Sequence, residues 1–180
     1  RVDPTTLGGL LHHQVSQNAT RDVIGRGIAA SPGAAAGRIV FSAEAALACK
    51  SREEPCILVR RETSPEDVRG MHAANAVLTE RGGMTSHAAV IGRGMGLPCI
   101  VGASSIRFQT RRQQLVATDG RIFKDGDFIT IDGTNGEILV GRADMVEPAL
   151  DDTFQTLMKW AENACDIQVR VNADTPTDAQ

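Results

Sequence analysis

Tyrosine is missing from this 180-residue chain, and aromatic residues of all kinds make up 3% of it. With so few rings to stack on bases, a single-strand nucleic-acid binder is excluded. Basic clusters are missing too: 19 Lys and Arg are dispersed among 22 Asp and Glu, for a formal net charge of -3. A nucleic-acid footprint needs a basic patch, so nucleic acid is not an expected partner. Cysteine is sparse, and Cys49, Cys56, Cys99 and Cys165 form no CxxC pair and no regular framework. Reduced thiols in the cytoplasm are the simpler expectation. No apolar run reaches the ~20 residues of a membrane span, and no charged-then-apolar leader opens the chain, so no membrane partner is expected. Neither a Walker sequence nor a dinucleotide fingerprint occurs. What is present is apolar residue enough, 42%, to bury roughly two thirds of the unfolded surface in one main core. Starting at Arg1 and stopping in the polar string Asp174–Gln180, the sequence has the look of a piece excised from a longer polypeptide.

Punctuation along the chain suggests an α/β organisation. Residues 1–20, with Pro4, Gly8 and Gly9, read as a linker in which His12 and His13 face solvent. Asp22–Ala29 reads as one strand, Ser31-Pro32-Gly33 as a turn, Gly37–Phe41 as a strand and Ala43–Cys49 as a short helix. Cys56–Val59 is a compact apolar strand. Ser64, Pro65 and Asp67 form a capping-box start for a helix over 65–74, and Ala76–Leu78 then gives a buried strand and a βαβ-like unit. Thr85 and Ser86 are competent caps for a small-residue helix through Ala88–Ile91, stopped by Gly94, Gly96 and Pro98. Cys99–Val101, Leu115–Ala117, Phe128–Ile131 and Glu137–Val140 follow as strands, the last three with turns at Asp119-Gly120, Asp125-Gly126 and Asp132-Gly133. Leu150, Phe154, Leu157, Trp160 or Ala161, and Ala164 line one face of a later helix, and Ile167–Val171 reads as a final strand.

Chemistry concentrates in Gly82–Gly102, GGMTSHAAVIGRGMGLPCIVG. Gly82 and Gly83 remove side-chain bulk and allow a phosphoryl group to approach the backbone. His87 falls in the first helical turn, where free amides and the positive dipole end favour an added phosphoryl group and disfavour a protonated ring. A neutral imidazole nitrogen is a nucleophile. Thr85 and Ser86 offer hydroxyls to orient the ring or meet phosphate oxygens. Arg93, six residues on, does not share the helix face cleanly, and a phosphate role for it stays open. The bland alternatives are a surface or satisfied core histidine for His87, an ordinary packing or surface role for His72, and a buried strand residue for Cys99. A zinc site from His72, His87 and Cys99 lacks ligand spacing, so no metal is expected.

This stretch resembles the phosphohistidine signature of the phosphoenolpyruvate-utilising enzymes. Met84, Ser86-His87-Ala88-Ala89, Arg93-Gly94-Met95-Gly96 and Pro98-Cys99 are similar to the pyruvate, phosphate dikinase branch. So are Glu62–Asp67, Gly70–Ala74, Ser31–Ala35 and Asn172–Pro176. Gly92 and Leu97 depart from that pattern, the glycine at a helical cost of about 1 kcal/mol against Ala. The resemblance implies a swivelling β/β/α phosphohistidine domain over residues 21–142, an incoming linker over 1–20, and over 143–180 an outgoing linker with the first strand of a C-terminal (β/α)8 barrel. It implies that His87 carries a phosphoryl group between a nucleotide-binding domain and that barrel, as ATP, pyruvate and phosphate become AMP, phosphoenolpyruvate and diphosphate. Magnesium would be bound by those other domains, the full-length enzyme would be a homodimer, and the fragment alone would not turn over. Thr85 matches a threonine whose phosphorylation silences plant members. Two further readings stand beside this one: the equivalent domain of phosphoenolpyruvate synthase or of sugar-phosphotransferase enzyme I, and a non-catalytic swivel or docking module.

Overall fold

The computed structural model describes residues 11–109, 111–148 and 152–164, and the chain divides into two compact units, 1–148 and 149–180. The first unit begins with strands β1 (Gln14–Val15), β2 (Val23–Arg26), β3 (Ile28–Ser31) and β4 (Ala34–Val40), followed by helix α1 (Ala43–Ser51) and β5 (Cys56–Arg60). A 3-10 turn at Pro65–Asp67 runs into α2 (Val68–Ala73), and β6 (Ala76–Thr79), α3 (His87–Gly94) and β7 (Cys99–Val101) follow. The remaining strands are β8 (Arg107–Gln109), β9 (Gln114–Val116), β10 (Ile122–Lys124), β11 (Phe128–Asp132), β12 (Glu137–Val140) and β13 (Met145–Val146).

Eight strands make the main sheet in the order β2-β12-β11-β4-β5-β6-β7-β3. Its centre is parallel from β4 through β5 and β6 to β7, because α1, α2 and α3 carry the crossovers. Its flanks are antiparallel. The two edge strands, β2 and β3, are separated only by Gly27, so the sheet curls until its edges meet. The sequence suggested a single strand over 22–29; it is two strands on opposite edges. Gly27 makes the corner possible, since a Cβ there would lie 2.6 Å from Ile100 Cγ2 and 2.9 Å from the Val101 carbonyl oxygen.

Side chains alternate across this sheet with the period of two that a strand imposes. Ile39, Ile57, Val59, Leu78, Ile100, Ile129 and Ile131 pack inward with Phe123 and Leu115. Val40, Cys56, Leu58, Val77, Cys99 and Val101 point to the other face, where Ala46, Cys49, Met71, Ala88 and Ala89 of the helices cover them. Small helical residues bring α3 close to the sheet. Gly92 is buried there, and a Cβ on it would stand 3.0 Å from Cys99 Cβ, so the helix position that departs from the dikinase pattern is filled by the strand beneath it.

Local start signals hold. Ser42 Oγ accepts from Ala45 N at 3.1 Å to cap α1. The Asp67 carboxylate accepts from Ser64 N at 2.9 Å and from the Ser64 hydroxyl at 3.2 Å, and its other oxygen pairs with Arg60 Nε at 3.2 Å. The expected helix over 65–74 therefore exists, with its first turn wound as 3-10. Strands β8, β9 and β10 form a separate three-stranded sheet, and β1 pairs with β13, joining Gln14 to Val146 and Val15 to Met145.

The second unit holds α4 (Asp152–Ala164). Phe154 and Leu157 are half-buried and Trp160 is 68% exposed. Leu150, the strand expected at Ile167–Val171 and with it the start of a barrel lie outside the described residues. No described helix is long and apolar enough to cross a membrane.

Candidate functional site

The loop after β6 and the start of α3 bring the motif together. Thr79 Oγ1 donates to the Arg81 carbonyl at 2.7 Å, turning the chain away from the sheet. Gly82 follows with φ of +116°, a left-handed conformation, and a Cβ there would press on Ser86 at 3.0 Å. Gly83 faces open space, and its carbonyl accepts from Ser86 N at 2.9 Å. Ser86 is the N-cap of α3, its Oγ accepting from Ala89 N at 3.4 Å. His87 is thus the first residue of the helix, beside the amides that have no acceptor within it. Thr85 and Met84 are exposed just before it.

His87 is half-buried. Its Nε2 is buried and has no hydrogen-bond partner among the described residues. A buried polar atom left unpaired is rare and costly.

Arg93 is exposed near the end of α3. Its guanidinium donates to the Met84 carbonyl at 2.8 Å and to the Ala30 carbonyl at 3.4 Å. Helical side chains lean toward the N-terminus, which takes Arg93 back to the loop that precedes its own helix. Sequence spacing missed this contact because backbone carbonyls leave no signature in a sequence. Gly102 was also missed as a site-builder. Its φ is +60°, and a Cβ would lie 2.5 Å from the Gly82 carbonyl oxygen; the glycine closing the motif was the available signal.

The other histidines stand apart in character. His72 is exposed on α2, where its carbonyl accepts from Lys50 Nζ at 3.2 Å. His13 is exposed and His12 half-buried, and the His13 carbonyl accepts from Ala34 N at 2.7 Å. Cys99 is buried, its thiol donating to the Ala88 carbonyl at 3.6 Å; burial pushes that thiol up to about 12, so it is not a nucleophile. Cys49, Cys56 and Cys99 are free thiols. Among the described residues no group of three or more His, Cys, Asp or Glu could hold a metal ion. The described residues around His87 offer no such set of ligands for magnesium.

A histidine whose buried Nε2 has no partner among the described residues opens α3 behind a glycine turn on an α/β sheet. Residues 52–136 match the family model described as "PEP-utilising enzyme, mobile domain", a span that includes β5 through β11 and the His87 loop. The chain's relatives are pyruvate, phosphate dikinases. That of Rhizobium meliloti (strain 1021) is 51% identical over 180 residues, 100% of this chain and 20% of that protein. That of Rickettsia typhi (strain ATCC VR-144 / Wilmington) is 44% identical over 179 residues, 99% of this chain and 20% of that protein. Pyruvate, phosphate dikinase 2 of Zea mays is 46% identical over 180 residues, again 99% of this chain and 20% of that protein. The chain therefore spans about one fifth of the length of these relatives. Among solved structures, an NMR solution structure of Enzyme I (nEIt) aligns with 61% of this chain and 38% of that one, at 23% identity and a TM-score of 0.36.

Proposed function

We propose that this chain is the phosphohistidine carrier of a pyruvate, phosphate dikinase, with His87 as the acceptor. The observation that carries the reading is the uncommitted Nε2 of His87 at the head of α3, inside the segment that matches the family's mobile domain. In the forward direction a ring nitrogen attacks the β-phosphorus of ATP in line, so a P–N bond forms and the P–O bond to AMP breaks. The outer phosphoryl group then passes to phosphate, giving diphosphate and leaving one phosphoryl group on the ring. In the last transfer the P–N bond breaks and an enolate oxygen of pyruvate takes that group, giving phosphoenolpyruvate. The net reaction converts ATP, pyruvate and phosphate to AMP, phosphoenolpyruvate and diphosphate.

What this chain supplies is a nucleophile and its placement; positioning and charge neutralisation do most of the remaining work in phosphoryl transfer. Gly82 and Gly83 keep the approach open, Ser86 fixes the helix start, and amides at that start meet the anionic group. Because Nε2 is covered, transfer through that nitrogen requires the ring to turn outward. Nucleotide, pyruvate and magnesium belong to further domains of the same polypeptide, a nucleotide-binding domain and a (β/α)8 barrel, in an enzyme that is a cytoplasmic homodimer. Residues 21–142 are the moving domain, and 1–20 and 143–180 lead into and out of it; the pairing of β1 with β13 supports this by placing strands of both segments side by side.

The test is mass spectrometry of the chain after incubation with its barrel domain and phosphoenolpyruvate. Acid-labile phosphate on His87, absent from His87→Ala, is expected. Phosphate persisting on His87→Ala overturns the assignment.

A further inference from the structure

We infer that Arg93 is a positioning residue for His87, a clamp on the loop that presents it and not a ligand of the phosphoryl group. This rests on the carrier reading above. The loop from Gly82 to Ser86 has little else to hold it. It joins β6 to α3 through a left-handed glycine, Gly83 and Gly94 meet nothing that a side chain would touch, and Met84 and Thr85 are exposed. One internal bond, Ser86 N to the Gly83 carbonyl, closes the turn. Arg93 adds the long-range tie. One terminal nitrogen holds the Met84 carbonyl at 2.8 Å while the other reaches the Ala30 carbonyl at 3.4 Å, so three pieces of backbone are joined: the presenting loop, the end of α3 and the end of β3.

The chemistry favours arginine for this task. A planar guanidinium reaches two carbonyls in fixed directions, whereas an ammonium is a single point of attachment on a flexible stem. A charged donor also makes a stronger bond to a carbonyl than a neutral one does. Two of its five N–H groups are directed at protein carbonyls, while Arg93 itself is exposed. His87 lies three residues beyond the clamped Met84 carbonyl, close enough for movement of that peptide to displace the ring, and displacements of about 1 Å can cost 100-fold in transfer.

Arg93→Ala and Arg93→Lys test this. Amide hydrogen exchange at Ser86, whose N–H is held by the Gly83 carbonyl, is expected to accelerate about tenfold in Arg93→Ala and by less in Arg93→Lys, with the amides of Ile57, Leu78 and Ile129 unchanged. Added guanidinium ion is expected to restore protection in Arg93→Ala. Transfer from phosphoenolpyruvate to His87 in the full-length enzyme is expected to fall about 100-fold, while labelling of His87 by phosphoramidate, a small diffusible donor that needs no alignment by a partner domain, stays within about threefold. Unchanged exchange at Ser86 overturns the clamp, and so does an equal loss with both donors, the mark of a phosphate ligand. If Arg93→Ala does not fold, Arg93→Lys is decided by the same two comparisons. Failure of phosphoramidate to label His87 in the parent chain would instead count against the carrier reading, with hydrogen exchange still deciding the clamp.

Discussion

Gly82 and Gly102, the first and last residues of the motif, touch: a Cβ on Gly102 would lie 2.5 Å from the Gly82 carbonyl oxygen, and Gly102 itself has φ of +60°. The strand β7 thus ends against the loop that presents His87. Gly102→Ala must adopt a left-handed backbone and displace that carbonyl, and is expected to cost roughly 2–3 kcal/mol in urea unfolding. Gly94→Ala is the control with the opposite sign. It faces open space at the end of α3, and higher helix propensity is expected to stabilise by up to about 1 kcal/mol.

The packing of Gly92 on Cys99 gives a second prediction. Gly92→Ala gains helix propensity but places a methyl 3.0 Å from Cys99 Cβ and 3.4 Å from its sulfur. Overpacking of a buried site costs about 1–3 kcal/mol, more than the propensity returns, so a net loss is expected by thermal or urea unfolding. Cys99→Ala keeps the offending Cβ and is expected not to rescue it.

Helix capping separates two serines. Ser42→Ala removes a cap bond of 3.1 Å and Ser86→Ala one of 3.4 Å. Loss of a cap costs about 0.5–2 kcal/mol, and the longer bond at Ser86 places that variant at the low end in stability. Its effect on phosphorylation of His87 is expected to exceed that of Ser42→Ala, because only Ser86 shapes the His87 turn.

Burial holds the Cys56 and Cys99 thiols at about 12, up from 9.0. Both are raised, so the unfolded chain ionises first as pH increases. Stability is therefore expected to be unaffected by these groups below about pH 9 and to fall as pH rises from there toward 12. Urea midpoints measured across that range check the sign, and Cys99→Ala should flatten the slope. At pH 8 neither thiol is expected to react with iodoacetamide until the chain unfolds.

Thr85 is exposed two residues before His87. Thr85→Glu is expected to fold normally yet accept a phosphoryl group on His87 at least tenfold more slowly, since a negative charge at that distance opposes an anionic donor. Thr85→Val should lose much less. Equal rates for the Glu variant and the parent would remove the electrostatic basis for control at this position.

Where the determining contacts are local, the sequence already displayed them. Ser64 and Asp67, Ser86 before His87, and the alternation through Cys56–Val59 and Ala76–Leu78 each lie within a few residues of one another. The corner at Gly27 was hidden because what it requires, the approach of Ile100 and Val101, comes from more than seventy residues away. Strands β8 and β10 were hidden for another reason. Each has three residues, too few for alternation to register, and each is specified by its pairing with β9. At the site, His87 and its glycines were legible from residue type, whereas the two hydrogen bonds of Arg93 go to carbonyls that any residue would offer.

The pairing of β1 with β13 has a consequence for engineering. Gln14 and Val146 are partners in one antiparallel ladder, so the chain arrives and departs within a strand spacing of about 5 Å. A body whose two ends sit that close can be set into a surface loop of an unrelated host without stretching either protein. Residues 14–146 are on these grounds a transplantable cassette, and a host carrying it would gain His87 together with the loop and helix that present it.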